Sequence, residues 1–120
     1  MPAYNFQEQF APLVASGQKR QTIRATGKRR HARPGDILHL YTGMRAKACR
    51  KLVSPDPVCR EVLPITMCEC NGVVLIHIDG KLIDDAEALA IADGFRTLGE
   101  FLQFFRKTHG LPFQGVLIKW

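Results

Sequence analysis

Between Lys19 and Lys51 the chain holds eleven lysines and arginines against a single acid, Asp36, a local net charge of +10. Seven of these bases (Lys19, Arg20, Arg24, Lys28, Arg29, Arg30 and Arg33) precede Pro34, and Arg45 follows a few residues after Tyr41. Cations gathered this densely attract polyphosphate and release its counterions on binding. A tyrosine near them offers a face on which a base can stack. The residues therefore point to RNA or a nucleotide-like ligand. A membrane surface fits less well, because the basic residues do not lie along an amphipathic helix.

The rest of the chain holds six bases and ten acids, so the overall net charge of +6 conceals a strongly basic first half. Lys19 and Arg24 together with a histidine, His31 or His39, would also make a ribonuclease-like set. His39 alternates with Leu38 and Leu40, which equally suits a structural residue on a strand. Cysteines stand at 49, 59, 68 and 70. They lack the paired C-x₂₋₄-C spacing of a zinc site and are read as buried, reduced thiols, with Cys68 and Cys70 on one face of a strand. No metal or organic cofactor is implied.

Periodicity sets the elements that must position these groups. Phe6, Phe10, Leu13 and Val14 recur at helical spacing before Ser16-Gly17, predicting a helix over residues 5–16. Residues 21–24 read as a short strand, 25–35 as a basic loop, 36–41 and 46–53 as strands. A long β segment follows over 58–70, with Pro64 suggesting an edge or bulge. Residues 73–78 and 81–83 flank Asp79-Gly80 as a tight hairpin. Asp84 is placed as the cap of a helix through Ala92, with Ala86, Leu89 and Ala90 inward. Thr97 with Glu100 forms a capping box for a second helix, whose apolar stripe is Leu98, Phe101, Leu102 and Phe105 and which ends at Gly110. Gly115–Trp120 closes the chain as a strand.

With 120 residues, 46% hydrophobic and 23% charged, the chain has the composition of one folded domain spanning residues 1–120. No stretch reaches the ~20 apolar residues of a membrane span. The first residues lack the charged and apolar regions of a secretory signal, so the expected compartment is the cytoplasm. No obligate protein partner is evident. The fold class is α+β, a curved mixed sheet or small β-barrel flanked by helices.

Gly17-Gln18-Lys19-Arg20-Gln21-Thr22-Ile23-Arg24 fits the pattern GxKxxxxR, and Pro34-Gly35-Asp36 opens the strand beyond the basic loop. Together with Glu87–Phe95, Glu100-Phe101 and Gly110–Trp120, these segments resemble the ASCH family over nearly the whole chain. The resemblance implies a PUA-like fold and either nucleic-acid binding or chemistry on modified nucleosides. One relative, the bacterial acetylcytidine amidohydrolase, uses a Lys, a Thr and a Glu. The first two match Lys19 and Thr22, and the third aligns with Asp93, one methylene shorter.

That alignment suggests a hydrolytic set. Thr22 would be the nucleophile, Lys19 its proton acceptor and Asp93 the shuttle to the leaving amine, with Arg24 at the oxyanion. Arg20 and Arg24 would lower the Lys19 pKa by like-charge repulsion. Lys19 and Thr22 are three apart, so on one regular strand they would point to opposite faces. They converge only if Lys19 lies in the turn leaving the first helix. The expected cleft is bounded by Lys19–Arg24, the Tyr41–Arg45 turn and the Asp93-Gly94-Phe95 corner.

Overall fold

Tyr4 and Phe6 point inward with exposed neighbours between and after them, which is the period of a strand. The computed structural model, which describes residues 2–120, accordingly divides the expected first helix in two. Strand β1 (Ala3–Phe6) is followed by a short helix α1 (Ala11–Ser16). Phe6 satisfies both a two-residue and a four-residue spacing, and burial resolves the ambiguity toward the strand. Pro12 sits in the first turn of α1, where its missing N–H is tolerated. Gly17, at φ 85°, ends the helix with the chain in the left-handed region.

Among the described residues, eight strands form two sheets. In the smaller, β1 pairs in parallel with β3 (His39–Thr42), which pairs with β4 (Arg50–Lys51). The larger sheet is antiparallel throughout, in the order β2 (Gln21–Ala25), β8 (Phe113–Lys119), β5 (Glu61–Cys70), β6 (Val73–Ile78), β7 (Lys81–Leu82). The strand order of neither sheet closes on itself, so the β layer is two open sheets, one mixed and one antiparallel, and not a closed barrel. The α+β class holds.

The expected strand over 46–53 shrinks to the two residues of β4. Gly43 and Arg45 adopt positive φ, and turn bonds run from Ala46 N to Gly43 O and from Cys49 N to Ala46 O. Residues 44–51 are exposed, so nothing apolar holds this stretch to a ladder. The 36–41 strand likewise begins later, at His39, after an isolated bridge between Ile37 and Val58.

Pro64 lies within β5 opposite Val116, one residue before pairing with β6 begins at Ile65. Its carbonyl accepts from Asp79 N at the β6–β7 turn, and its ring nitrogen, on that same edge, lies just before the β5–β6 ladder begins at Ile65. Asp79 and Gly80 both take positive φ, as the two-residue hairpin requires.

Helix α2 (Ala86–Ala92) is capped by Asp85, not Asp84: its carboxylate accepts from Ala88 N at 3.0 Å. Helix α3 (Leu98–Thr108) is capped by Thr97, whose hydroxyl accepts from Glu100 N at 3.1 Å. Phe101 and Phe105 bury its apolar face in a continuous core shared with β1, β3, β5 and β8. Of the four cysteines only Cys59 is buried; Cys49, Cys68 and Cys70 are exposed, and all four are free thiols. The outer face of β5 beside β6 is uncovered at that end, which leaves Cys68 and Cys70 in solvent. No helix among the described residues is long and apolar enough to cross a membrane.

Candidate ligand-binding site

The turn after α1 creates the site. Lys19 N donates to Leu13 O at 3.0 Å, folding the chain back on the helix it has just left. Lys19 therefore precedes β2, free of strand alternation, and its side chain enters the interior at 3% exposure. This is the condition under which Lys19 and Thr22 converge. Thr22 and Arg24 follow on one face of β2, and Arg24 Nε donates to Thr22 Oγ1 at 2.9 Å.

The fourth residue arrives from the end of α2. Gly94 N donates to Ile91 O and Phe95 N to Ala90 O, each at 3.0 Å, a double closure that needs Gly94 at φ 97°. The closure fixes Asp93 with its carboxylate turned inward, at 4% exposure. Lys19 Nζ donates to Asp93 Oδ1 at 3.1 Å and to the Asp93 carbonyl oxygen at 2.5 Å. Gln21 Nε2 donates to the same carboxylate oxygen at 3.4 Å. The ammonium thus also caps the C-terminal end of α2, where positive charge is favoured.

Lys19, Thr22, Arg24 and Asp93 line one cavity of about 220 Å³. Its apolar walls are Phe6 from β1, Phe10, Phe95 and, from α3, Phe104 and Phe105. Phe10 meets Phe95 edge-on at 5.1 Å and Phe104 at 5.9 Å, which locks the ring planes. Lys19 Nζ lies 5.1 Å from the Phe10 ring centroid, and the Arg24 guanidinium 5.0 Å from that of Phe6. Asn5, Gln7, Thr108 and His109 also line the cavity.

Burial dominates the electrostatics. It pushes the Lys19 ammonium below its ordinary range; Asp93 opposes this, and Arg24 adds to it. Burial pushes the Asp93 carboxyl above the usual range, against the pull of Lys19, Gln21 and Arg24. Arg24 is brought down to about 10 by burial and by Arg29, and so stays charged at neutral pH. His109 is exposed as a residue, yet its ring lies 5.0 Å from that of Phe113. Partial burial, aided by Arg24, lowers its pKa and favours the neutral ring.

The other expected residues lie elsewhere. Tyr41 and Arg45 do not line the cavity: Tyr41 packs under Lys51 at 5.8 Å, and Arg45 is exposed in the turn. That turn reaches the site only indirectly, through Met44 N donating to Asn5 Oδ1 at 2.9 Å. Arg20 is exposed, and its Nε donates to Trp120 O at 3.2 Å. Lys28 and Arg33 stand exposed on the basic loop, while Arg29 and Arg30 border a second hollow with His31. His39 pairs with Asp56 at 3.2 Å in the smaller sheet. Neither histidine of the ribonuclease-like set therefore joins Lys19 and Arg24 in the cavity.

Asn5, Gln21 and His109 were not among the expected site residues. Asn5 falls in the stretch read as helix, and Gln21 adjoins the motif without belonging to it. His109 had only its place at the end of α3, a weak signal for a site. Among the described residues no three His, Cys, Asp or Glu side chains converge as metal ligands would.

The fold and the cavity define an α+β chain with a cationic, aromatic-walled pocket. Comparison with known protein families, curated proteins and solved structures finds no match to this chain.

Proposed function

We propose that this chain is an ASCH-type domain of PUA-like fold that binds a nucleoside unit, free or presented by RNA, in the cavity beside β2. The supporting observation is that Lys19, Thr22, Arg24 and Asp93 line one pocket together with five phenylalanine rings. A flat heterocycle needs apolar faces to stack on and fixed donors and acceptors along its edge. Lys19 and Arg24 supply donors, Asp93 an acceptor, and the locked rings the faces. The positive charge of the loop that follows β2 would raise the local concentration of RNA. Exposed thiols at Cys49, Cys68 and Cys70 suit a reducing compartment, and the cytoplasm is the setting we assign.

Calorimetric titration with the four ribonucleosides, N4-acetylcytidine and a short oligoribonucleotide tests this reading. It expects saturable binding that Arg24→Ala weakens by at least about tenfold, the scale of one hydrogen bond to a charged group. For the oligonucleotide it expects affinity that falls steeply with salt. No binding by any of these probes, or salt-independent binding untouched by Arg24→Ala, would reject it.

A second reading, hydrolysis of an acylated nucleoside amide, draws on the hydroxyl, amine and carboxylate that share the pocket. Thr22 Oγ1 would attack the acyl carbon after losing its proton to Lys19 in its neutral amine form. Asp93 would relay that proton from Lys19 to the departing amine, Arg24 would stabilise the oxyanion, and water would then hydrolyse the acyl-threonine ester to release the acid. At rest Lys19 is hydrogen-bonded to Asp93 and Thr22 to Arg24, so substrate must draw the amine toward the hydroxyl. Acetate release from N4-acetylcytidine is the measurement. Lys19→Ala and Thr22→Ala should each reduce it by about 10²-fold or more; unchanged release in either variant removes the reading.

A further inference from the structure

The edge of β1 turned away from β3 directs the carbonyls of Ala3 and Asn5 toward the basic segment, and each accepts from an arginine. Arg24 Nη2 donates to Asn5 O at 2.9 Å, and Arg29 Nη2 donates to Ala3 O. Carbonyls two residues apart on a strand are separated by about 6.6 Å, so both guanidiniums are anchored along one strand edge. Both also lie against the Tyr4 ring, at 5.1 and 4.8 Å from its centroid.

That ring is fixed. Tyr4 is fully buried, and its hydroxyl takes part in hydrogen bonds with Ala32 N at 3.0 Å and His31 Nδ1 at 3.1 Å. The two arginines are therefore placed in advance by backbone and aromatic contacts, without an acid. Among the described residues neither has a carboxylate within ion-pairing distance. Like charges this close repel, and an anion lying across them would relieve the repulsion.

The pair also joins two spaces. Arg24 lines the ligand cavity, whereas Arg29 borders a hollow of about 280 Å³ with Arg30 and His31. Asp36 is the acid bordering that hollow, and one of its carboxylate oxygens accepts from Arg33 N at 2.9 Å. Each guanidinium has five N–H donors. Arg24 commits donors to Thr22 and Asn5, and Arg29 to Ala3, which leaves several free.

We propose that Arg24 and Arg29 form a phosphate seat at the mouth of the cavity, so that the preferred ligand is a nucleoside bearing a phosphate ester, whether a free nucleotide or a unit of RNA. The proposal rests on the nucleoside reading above and adds the part of the ligand that lies outside the pocket. Arg24 touches both portions; Arg29 serves the phosphate alone.

The test is calorimetric titration of the full chain, at fixed ionic strength, with cytidine and adenosine, their 5′- and 3′-monophosphates, inorganic phosphate and a short oligoribonucleotide. A monophosphate should bind on the order of tenfold more tightly than its nucleoside, as a pair of charge-assisted hydrogen bonds supplies. Arg29→Ala should cut that ratio to about threefold, the part that Arg24 still supplies, while nucleoside affinity stays within about twofold, and Arg29→Lys should recover part of the loss by charge alone. A further rise with the oligoribonucleotide identifies RNA as the source; equal affinity for the monophosphate identifies the free nucleotide. Equal affinity for nucleosides and monophosphates, or a ratio unmoved by Arg29→Ala, would overturn the seat and leave the nucleoside pocket standing. Binding of no probe at all would overturn both.

Discussion

Lys19 and Asp93 form a buried ion pair, Nζ to Oδ1 at 3.1 Å, that ties the turn after α1 to the last turn of α2. Both side chains are almost fully excluded from solvent. The bond therefore fixes two elements far apart in the chain around the same cavity, and it makes the site part of the fold's own support.

Removing one partner should be costly, because the other is left as an uncompensated buried charge. Lys19→Met and Asp93→Asn are each expected to lower unfolding stability by about 3–5 kcal/mol. The double variant Lys19→Met with Asp93→Leu should regain much of that loss. Urea unfolding curves at pH 7 measure all three. Single variants within about 1 kcal/mol of the parent would show that the pair is not closed in solution.

Gly115 pairs with Ala25 at the end of the β2–β8 ladder, and a Cβ there would collide with the carbonyl oxygen of Arg24. Gly115→Ala must displace the strand that carries Thr22 and Arg24. A loss of about 3 kcal/mol is expected, the upper range for overpacking, together with weaker nucleoside binding. Gly27→Ala, which meets open space, serves as the control and should change stability by less than about 0.5 kcal/mol. A tolerant Gly115→Ala would mean that β2 and β8 are not so closely apposed.

The lowered pKa of His109 gives a pH dependence of definite sign. Its folded value lies below 6.5, so between the two values the unfolded chain binds more protons. The contribution is therefore present above pH 6.5 and is lost as pH falls through the folded value. Acidification from pH 7.5 to 5 should destabilise the parent more than His109→Gln, as read by urea unfolding at each pH. An equal loss in both proteins would place the ring in open solvent.

Thr97→Ala tests how α3 is started. Its hydroxyl satisfies one of the first free amides of the helix, and its removal should cost about 1 kcal/mol in thermal or urea unfolding. Because α3 carries Phe104 and Phe105 to the cavity wall, nucleoside affinity should fall modestly as well. A neutral substitution would show that packing of Phe101 and Phe105 alone sets the helix start.

Much of this arrangement could be read from local pattern. Asp79-Gly80, Thr97 and Gly110 signal their turns and cap through chemistry confined to a few residues, and they hold. Lys19, Thr22 and Arg24 share one short segment, so their convergence needed only the Gly17 stop. Asp93 came from resemblance, since nothing local shows that α2 ends against the α1 turn. Sequence pattern and structure part where tertiary contact chooses between equal local options. Phe6 fits a helix or a strand, and only its place beside β3 selects the strand. Tyr41 and Arg45 look like ligand residues beside a basic loop, but β3 and the turn after it keep them out of the pocket. Asn5 and His109 reach the cavity through sheet pairing and helix packing that no short motif records.

The central claim is that the cavity beside β2 takes a nucleoside, and amide chemical-shift mapping with cytidine and adenosine tests it most directly. Binding there should move the resonances of Asn5, Lys19 to Ala25, Asp93 to Phe95 and His109 in a saturable way, and leave those of β6 and β7 in place. Shifts confined to the exposed loop around Lys28 and Arg33, or none at millimolar nucleoside, would contradict it.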